Sequence, residues 1–129
     1  MQKVALLVVL ALMALSSFAL ANPQQLAATP QIAGEKIYQQ YCSVCHTSGI
    51  ANAPKTGSKK DWSPRFNKID SLITQAGGKI TEQARIEHFL PVVEKGLNAM
   101  PPKGTCMTCS NNDLKAAIEY MLPKAENSL

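Results

Sequence analysis

The stretch Cys42-Ser43-Val44-Cys45-His46 constrains this chain more than any other. Positions three apart on a helix share a face, so two thiols here point the same way. A histidine follows at once, four positions after the first cysteine, and the same face can present its imidazole. Two thiols and an imidazole in that register suit a c-type haem. The thiols form thioethers with the two vinyl groups of one porphyrin edge, and the imidazole faces the iron. As a bare pattern CxxCH occurs by chance. Its weight depends on the compartment, on a sixth ligand and on what the other two cysteines do.

The compartment is legible at the beginning of the chain. Lys3 is followed by an unbroken apolar run from Val4 to Leu15, then Ser16-Ser17, then Ala19-Leu20-Ala21 as an A-x-A cleavage site. Asn22-Pro23 cannot continue a helix. This is the pattern of a secretory signal peptide over 1–21, removed on export to the periplasm. The alternative is an uncleaved membrane anchor, for which the run is short against the ~20 residues of a membrane-spanning helix. Cleavage would leave one domain. With one tryptophan, three tyrosines and three phenylalanines in the whole chain, such a domain has a modest core of its own, and a haem would supply an apolar plate to pack on. The net charge of +4 is mildly basic and not clustered as a nucleic-acid surface would be.

Asn22 to Ala33 is expected to be a flexible lead-in, with the domain over 34–122 and a tail over 123–129. Ile37, Tyr38 and Tyr41 share a helical face in the segment that runs into the cysteines. Gly34 near its start suits either an N-terminal cap or a close helix crossing. Thr47 to Lys60 reads as loop, marked by Gly49, Pro54 and Gly57. A ligating histidine normally gives its second ring N–H to a carbonyl. The Pro54 carbonyl is the candidate, unless Pro54 only shapes a turn. Ser63-Pro64 reads as a helix start, followed by Phe66, Ile69, Ile73 and Ala76, with Gly77-Gly78 as the stop. Thr81-Glu82 opens the next helix through Ile86, Phe89 and Leu90. Pro91 is expected to break or kink it, leaving a short last turn that ends at Gly96. His88 on this helix is a weak ligand candidate.

Met100 lies in Gly96-Leu97-Asn98-Ala99-Met100-Pro101-Pro102-Lys103-Gly104, a loop locked by two prolines. A methionine there is poorly placed to fill a core. Its thioether is a soft ligand that could complete a His/Met pair on iron. Met107 is constrained between two cysteines, Met121 belongs to the apolar face of the last helix, and Met1 and Met13 leave with the signal. Cys106 and Cys109 should oxidise in a periplasm. Four cysteines allow three pairings, and only 106–109 remains if Cys42 and Cys45 carry thioethers. A reactive thioredoxin-type CxxC would belong beside a βαβ pattern, which is lacking. Ser110-Asn111-Asn112-Asp113 is a capping box. Leu114, Ala117, Ile118 and Met121 follow at helical spacing, and Pro123 ends the run.

Taken together, CSVCH, APKTG, DWSPR and NAMPPKGTCMTCS ahead of a capped last helix resemble the bacterial class I cytochromes c, and among them the cytochrome c5 group. The resemblance covers Gly34 to Leu122. It implies an all-α, single-domain cytochrome c fold wrapped around one covalently bound haem c. It makes Cys42 and Cys45 the thioether sites, His46 the proximal iron ligand, Met100 the distal ligand and Cys106–Cys109 a disulfide. The stretch from Trp62 to Met100 is longer than the family pattern and holds additional helix around Ala76 to Leu90.

The expected role is a periplasmic one-electron carrier, not an enzyme, shuttling electrons between respiratory-chain partners: other cytochromes, a terminal oxidase or a reductase. Docking is expected at the haem edge, with Lys55, Lys59, Lys60 and Lys103 steering an acidic partner. Neither nucleic acid nor stable membrane insertion after cleavage enters this expectation. A zinc module built on the two CxxC pairs is the rival from another class, but its pairs usually stand ~15–20 residues apart, far closer than here. A haem enzyme or gas sensor would keep an open sixth position, which a well-placed Met100 would fill.

Overall fold

The computed structural model describes residues 30–124. The expected leader over 1–21, most of the lead-in over 22–33 and the end of the tail lie outside them. The order of elements is helix α1 (Pro30–Ile37), a π-helical turn (Tyr38–Cys42), helix α2 (Ser43–His46), a 3-10 turn (Ile50–Asn52), helix α3 (Lys59–Gln75), helix α4 (Glu82–Lys95), a second 3-10 turn (Pro102–Thr105) and helix α5 (Asn111–Met121). Among the described residues the only extended pairing is one isolated bridge, Leu97 to Met100. The described residues are all-α, as the family resemblance implied.

Helix α1 begins at Pro30, so the lead-in ends earlier than expected. Proline suits a first helical position, where its missing N–H has no partner to lose. Gly34 therefore sits inside the helix and caps nothing. A Cβ built on it would overlap the Ala116 carbonyl of α5 and stand 3.3 Å from the Ala116 Cβ. The glycine is what lets α1 and α5 cross backbone to backbone. Tyr38 adds a tilted ring contact with Tyr120 at 5.0 Å, and the Tyr120 hydroxyl donates to Glu35 at 3.3 Å.

Helix α3 starts one turn before the Ser63-Pro64 signal. Ser58 is its N-cap and accepts from the Asp61 N–H. Pro64 lies inside the helix, and the bond it cannot make would have gone to the carbonyl of Lys60, an exposed residue that water can serve. Helix α4 is capped by Thr81, which accepts from Ala84 N–H at 3.0 Å, and it runs unbroken through Pro91 to Lys95. Here too the orphaned carbonyl belongs to an exposed residue, Glu87. The stretch 76–90, expected to hold additional helix, is the turn after α3 together with Glu82 to Leu90 of α4.

The core joins these helices. Trp62, Ile69 and Ile73 of α3, Ile86, Phe89 and Leu90 of α4, and Leu114, Ile118 and Met121 of α5 are buried around Tyr38. Asp70 and Arg85 tie α3 to α4 through two bonds of 2.8 and 2.6 Å, and the Arg85 guanidinium lies 4.3 Å over the Phe66 ring. Lys115 and Glu87 pair α5 with α4 at 2.7 Å. The Ser110 capping box at the start of α5 is complete.

Candidate functional site

The helix that carries the CxxCH motif is not uniform. The Ser43 N–H bonds to the Tyr38 carbonyl, which widens Tyr38–Cys42 into a π turn. Such turns often occur at functional positions. Ser43 also donates to the Gln39 carbonyl at 2.8 Å. Both Cys42 and Cys45 are free thiols and half-buried. Burial, with a smaller contribution from neighbouring Cys45, pushes the Cys42 thiol up to about 11, so it carries its proton at neutral pH.

His46 closes α2 and is buried. Its Nδ1 lies 2.8 Å from the Pro54 carbonyl. A carbonyl can only accept, so Nδ1 carries the proton and Nε2 keeps its lone pair. The Pro54 carbonyl foreseen from the sequence is thus in place. The loop that delivers it passes through left-handed backbone at Ala51 and Asn52. It is fastened to α3 by three side chains that the sequence reading did not single out. Arg65 donates to the Asn52 carbonyl at 2.9 Å, Trp62 donates from its indole nitrogen to the Lys55 carbonyl at 3.0 Å, and Asp61 accepts from the Lys55 N–H at 3.2 Å. Trp62 also lies nearly parallel to the His46 ring at 6.4 Å.

The Met100 segment is held differently. The Leu97 and Met100 backbones exchange two hydrogen bonds of 3.0 and 2.9 Å. Gly96 enters this turn at φ 78°, ψ 166°, a conformation open essentially to glycine alone. A Cβ there would stand 2.6 Å from the Met100 carbonyl. Lys103, Gly104 and Thr105 all have left-handed φ. Cys106 and Cys109 are buried and disulfide-bonded, with Cα atoms 5.5 Å apart. Lys103 turns its ammonium to the Cys109 carbonyl at 3.1 Å. The segment after Met100 meets the cysteine motif: a Cβ on Gly104 would stand 3.3 Å from the Tyr41 carbonyl and 3.8 Å from Cys42 Sγ.

These residues fit a c-type haem. They offer two free thiols a helical turn apart and a buried imidazole with its outer nitrogen available. They also offer a side-chain-free cradle at Gly104 beside one thiol, and exposed apolar groups, Ile50 and Leu97, on the two flanking loops. His88 is exposed on α4. Among the described residues no three His, Cys, Asp or Glu side chains gather as a metal-binding cluster. Since Cys106 and Cys109 bind each other, the four-thiolate zinc arrangement is ruled out.

Comparison with known proteins places the chain. The family described as cytochrome C oxidase, cbb3-type, subunit III matches residues 30–121. Cytochrome c5 of Azotobacter vinelandii is 38% identical, with 68% of this chain and 89% of that protein covered. Cytochrome c5 of Ectopseudomonas mendocina is 33% identical, covering 67% and 84%. Among solved structures, an electron transfer complex of nitrite reductase with cytochrome c contains a chain that is 38% identical. The match covers 69% of this chain and 89% of that one, with a TM-score of 0.52. By its motif, its fold and these relatives, the chain belongs to the c-type cytochromes of the cytochrome c5 kind: an electron carrier with one covalently bound haem c, and not an enzyme.

Proposed function

We propose that this protein is a periplasmic carrier of single electrons between respiratory-chain partners, with His46 and Met100 as axial ligands. The observation that carries the proposal is the His46 imidazole, buried with Nδ1–H on the Pro54 carbonyl at 2.8 Å, directly after two free thiols. That tautomer leaves Nε2 as the ligating atom, and its carbonyl partner raises its basicity. Bound haem supplies an iron that alternates between ferric and ferrous. Cys42 and Cys45 would hold it as thioethers. Met100 offers a soft sulfur from a loop fixed by its own backbone, and the Cys106–Cys109 disulfide pins the segment between Met100 and α5. A His/Met pair favours the reduced state and a positive potential. With His46 and Met100 both retained as ligands, the protein would make and break no substrate bond.

The relative solved in complex with nitrite reductase and the family named for an oxidase subunit support a reductase or terminal oxidase as partner. Lys55 and Lys60 are exposed and line a groove of about 480 Å³ beside Pro54, and Lys59 is exposed next to them. These three form the steering group. Lys103 is half-buried and turned inward to Cys109, so it leaves that group. Among the described residues no helix is long and apolar enough to cross a membrane.

The test is a pair of optical spectra. The ferric wild-type protein should show a sulfur-to-iron charge-transfer band that Met100→Ala removes while His46 ligation persists. A band that survives Met100→Ala would assign the sulfur to another methionine. For docking, the second-order rate with the cognate partner should fall as ionic strength rises, because screening tightens to ~8 Å at physiological salt. Charge reversal at Lys59 and Lys60 should flatten that dependence.

A further inference from the structure

We infer that Trp62 and Arg65, with Asp61, are positioning residues that tune the reduction potential by fixing the Pro54 carbonyl against His46. The inference rests on His46 as the proximal ligand. Pro54 has no N–H of its own, so its carbonyl direction is set by the residues on either side. Both sides are held from one turn of α3. Upstream, Arg65 donates one guanidinium N–H to the Asn52 carbonyl and another to the Asp61 carbonyl, each at 2.9 Å. Downstream, Lys55 is held through both of its peptide groups, its carbonyl by the Trp62 indole at 3.0 Å and its N–H by the Asp61 carboxylate at 3.2 Å.

The loop needs such support. Ala51 and Asn52 stand at φ 53° and 64°, where a side chain costs energy that surrounding contacts must offset. The loop also reaches back to the histidine's own backbone, with the Thr56 N–H and hydroxyl both donating to the His46 carbonyl at 2.8 and 3.2 Å. Trp62, which is 4% exposed, touches both parts of the device: its nitrogen holds the loop and its ring faces the imidazole.

The chemical effect has a definite sign. A well-aligned carbonyl draws the Nδ1 proton outward and makes Nε2 a stronger donor, which favours ferric iron. Loosening the carbonyl weakens the donor and favours ferrous iron, so the potential rises. Trp62→Phe keeps a ring beside His46 and removes the indole donor. Arg65→Gln removes the guanidinium fork. In the haem-loaded protein the double variant is expected to raise the ferrous-to-ferric ratio at fixed ambient potential about threefold, or ~28 mV at 59 mV per tenfold. Hydrogen exchange of the His46 ring N–H and the Thr56 amide should quicken in the same variant.

Arg85→Gln is the control. It breaks the α3–α4 ion pair to Asp70 without touching the loop, and should lower stability while leaving the potential in place. An unchanged potential and unchanged exchange in the double variant, with the low-spin spectrum intact, would overturn the positioning role alone. A wild-type spectrum without histidine ligation would overturn the reading of His46 itself. If Arg85→Gln shifted the potential equally, the effect would be general softening and the inference would fail.

Discussion

The loop after His46 and the loop around Met100 do comparable jobs with different means. The first is held by side chains of a helix that packs one apolar face on the core: Asp61, Trp62 and Arg65 each bond to its backbone. The second is held by its own main chain, through the Leu97–Met100 bridge, a Gly-only conformation at Gly96, three left-handed residues in a row and a disulfide. Several modest hydrogen bonds share the load on one side, each worth ~1 kcal/mol net. On the other side a few stiff elements carry it alone. The His46 loop should therefore yield gradually to single substitutions, and the Met100 loop abruptly.

The largest break lies on the His46 side and bypasses its hydrogen bonds altogether. Cys42→Ala combined with Cys45→Ala should abolish covalent attachment, so acid–acetone extraction removes the colour that wild type retains. Next in size comes Met100→Ala. Its potential should drop by a sizeable part of the ~0.8 V that axial ligands command, and the ferric iron should bind added imidazole. Voltammetry and ligand titration read both. Gly96→Ala should cost about 1–3 kcal/mol for the conformation alone, and more because its Cβ would meet the Met100 carbonyl. A chemical denaturation midpoint close to wild type would show that the loop flexes and that the contrast between the two sides is overstated. Replacing Cys106 and Cys109 by serine together should cost about 2 kcal/mol on chain-entropy grounds, with local exchange rising around Met100 before it rises around Pro54.

The smallest effect calibrates the comparison. The Arg85 side chain, through hydrogen bonds and then charge, holds the Asp70 carboxyl below its ordinary value. A depressed carboxylate contributes stability that is present above its unfolded value of ~3.9 and is lost as pH falls through the lower folded value. Because the pair is partly exposed, its whole worth is at most about 1 kcal/mol. Acid titration of stability in wild type and Arg85→Gln should diverge only by that amount, and the two should converge in strong acid.

The sequence showed the chemistry better than its support. The Pro54 carbonyl on His46 and the Cys106–Cys109 disulfide were legible because short spacing along the chain reports what neighbouring groups can reach. Thr81 and Ser110 were legible as caps for the same local reason. The hold of α3 on the His46 loop was not. Trp62 and Arg65 act on the carbonyls of Lys55 and Asn52, and no nearby ligating group announces those two oxygens as the His46 imidazole announces that of Pro54. The prolines misled in one consistent way. Pro64 was read as a start and Pro91 as a break or kink, yet each sits inside a continuous helix whose unmatched carbonyl belongs to an exposed residue. Periodicity alone does not say which carbonyls water can serve. Lys103 read as a surface charge, and only the fold turns it toward Cys109.

The crossing of α1 and α5 at Gly34 sets an order of events in the life of the chain. It joins segments as far apart as Glu35 and Tyr120, separated by 85 positions. Closing a loop of that size costs about 4 kcal/mol of chain entropy, which is recovered only when the last helix arrives to pack. The cysteine motif adjoins the first of these partners, so it is synthesised long before the second. Until α5 docks, the crossing at Gly34 cannot hold α1, and the thiols of Cys42 and Cys45 stand on a chain that is not yet closed. A fold sealed by its two ends keeps its cofactor site open through synthesis and closes it last.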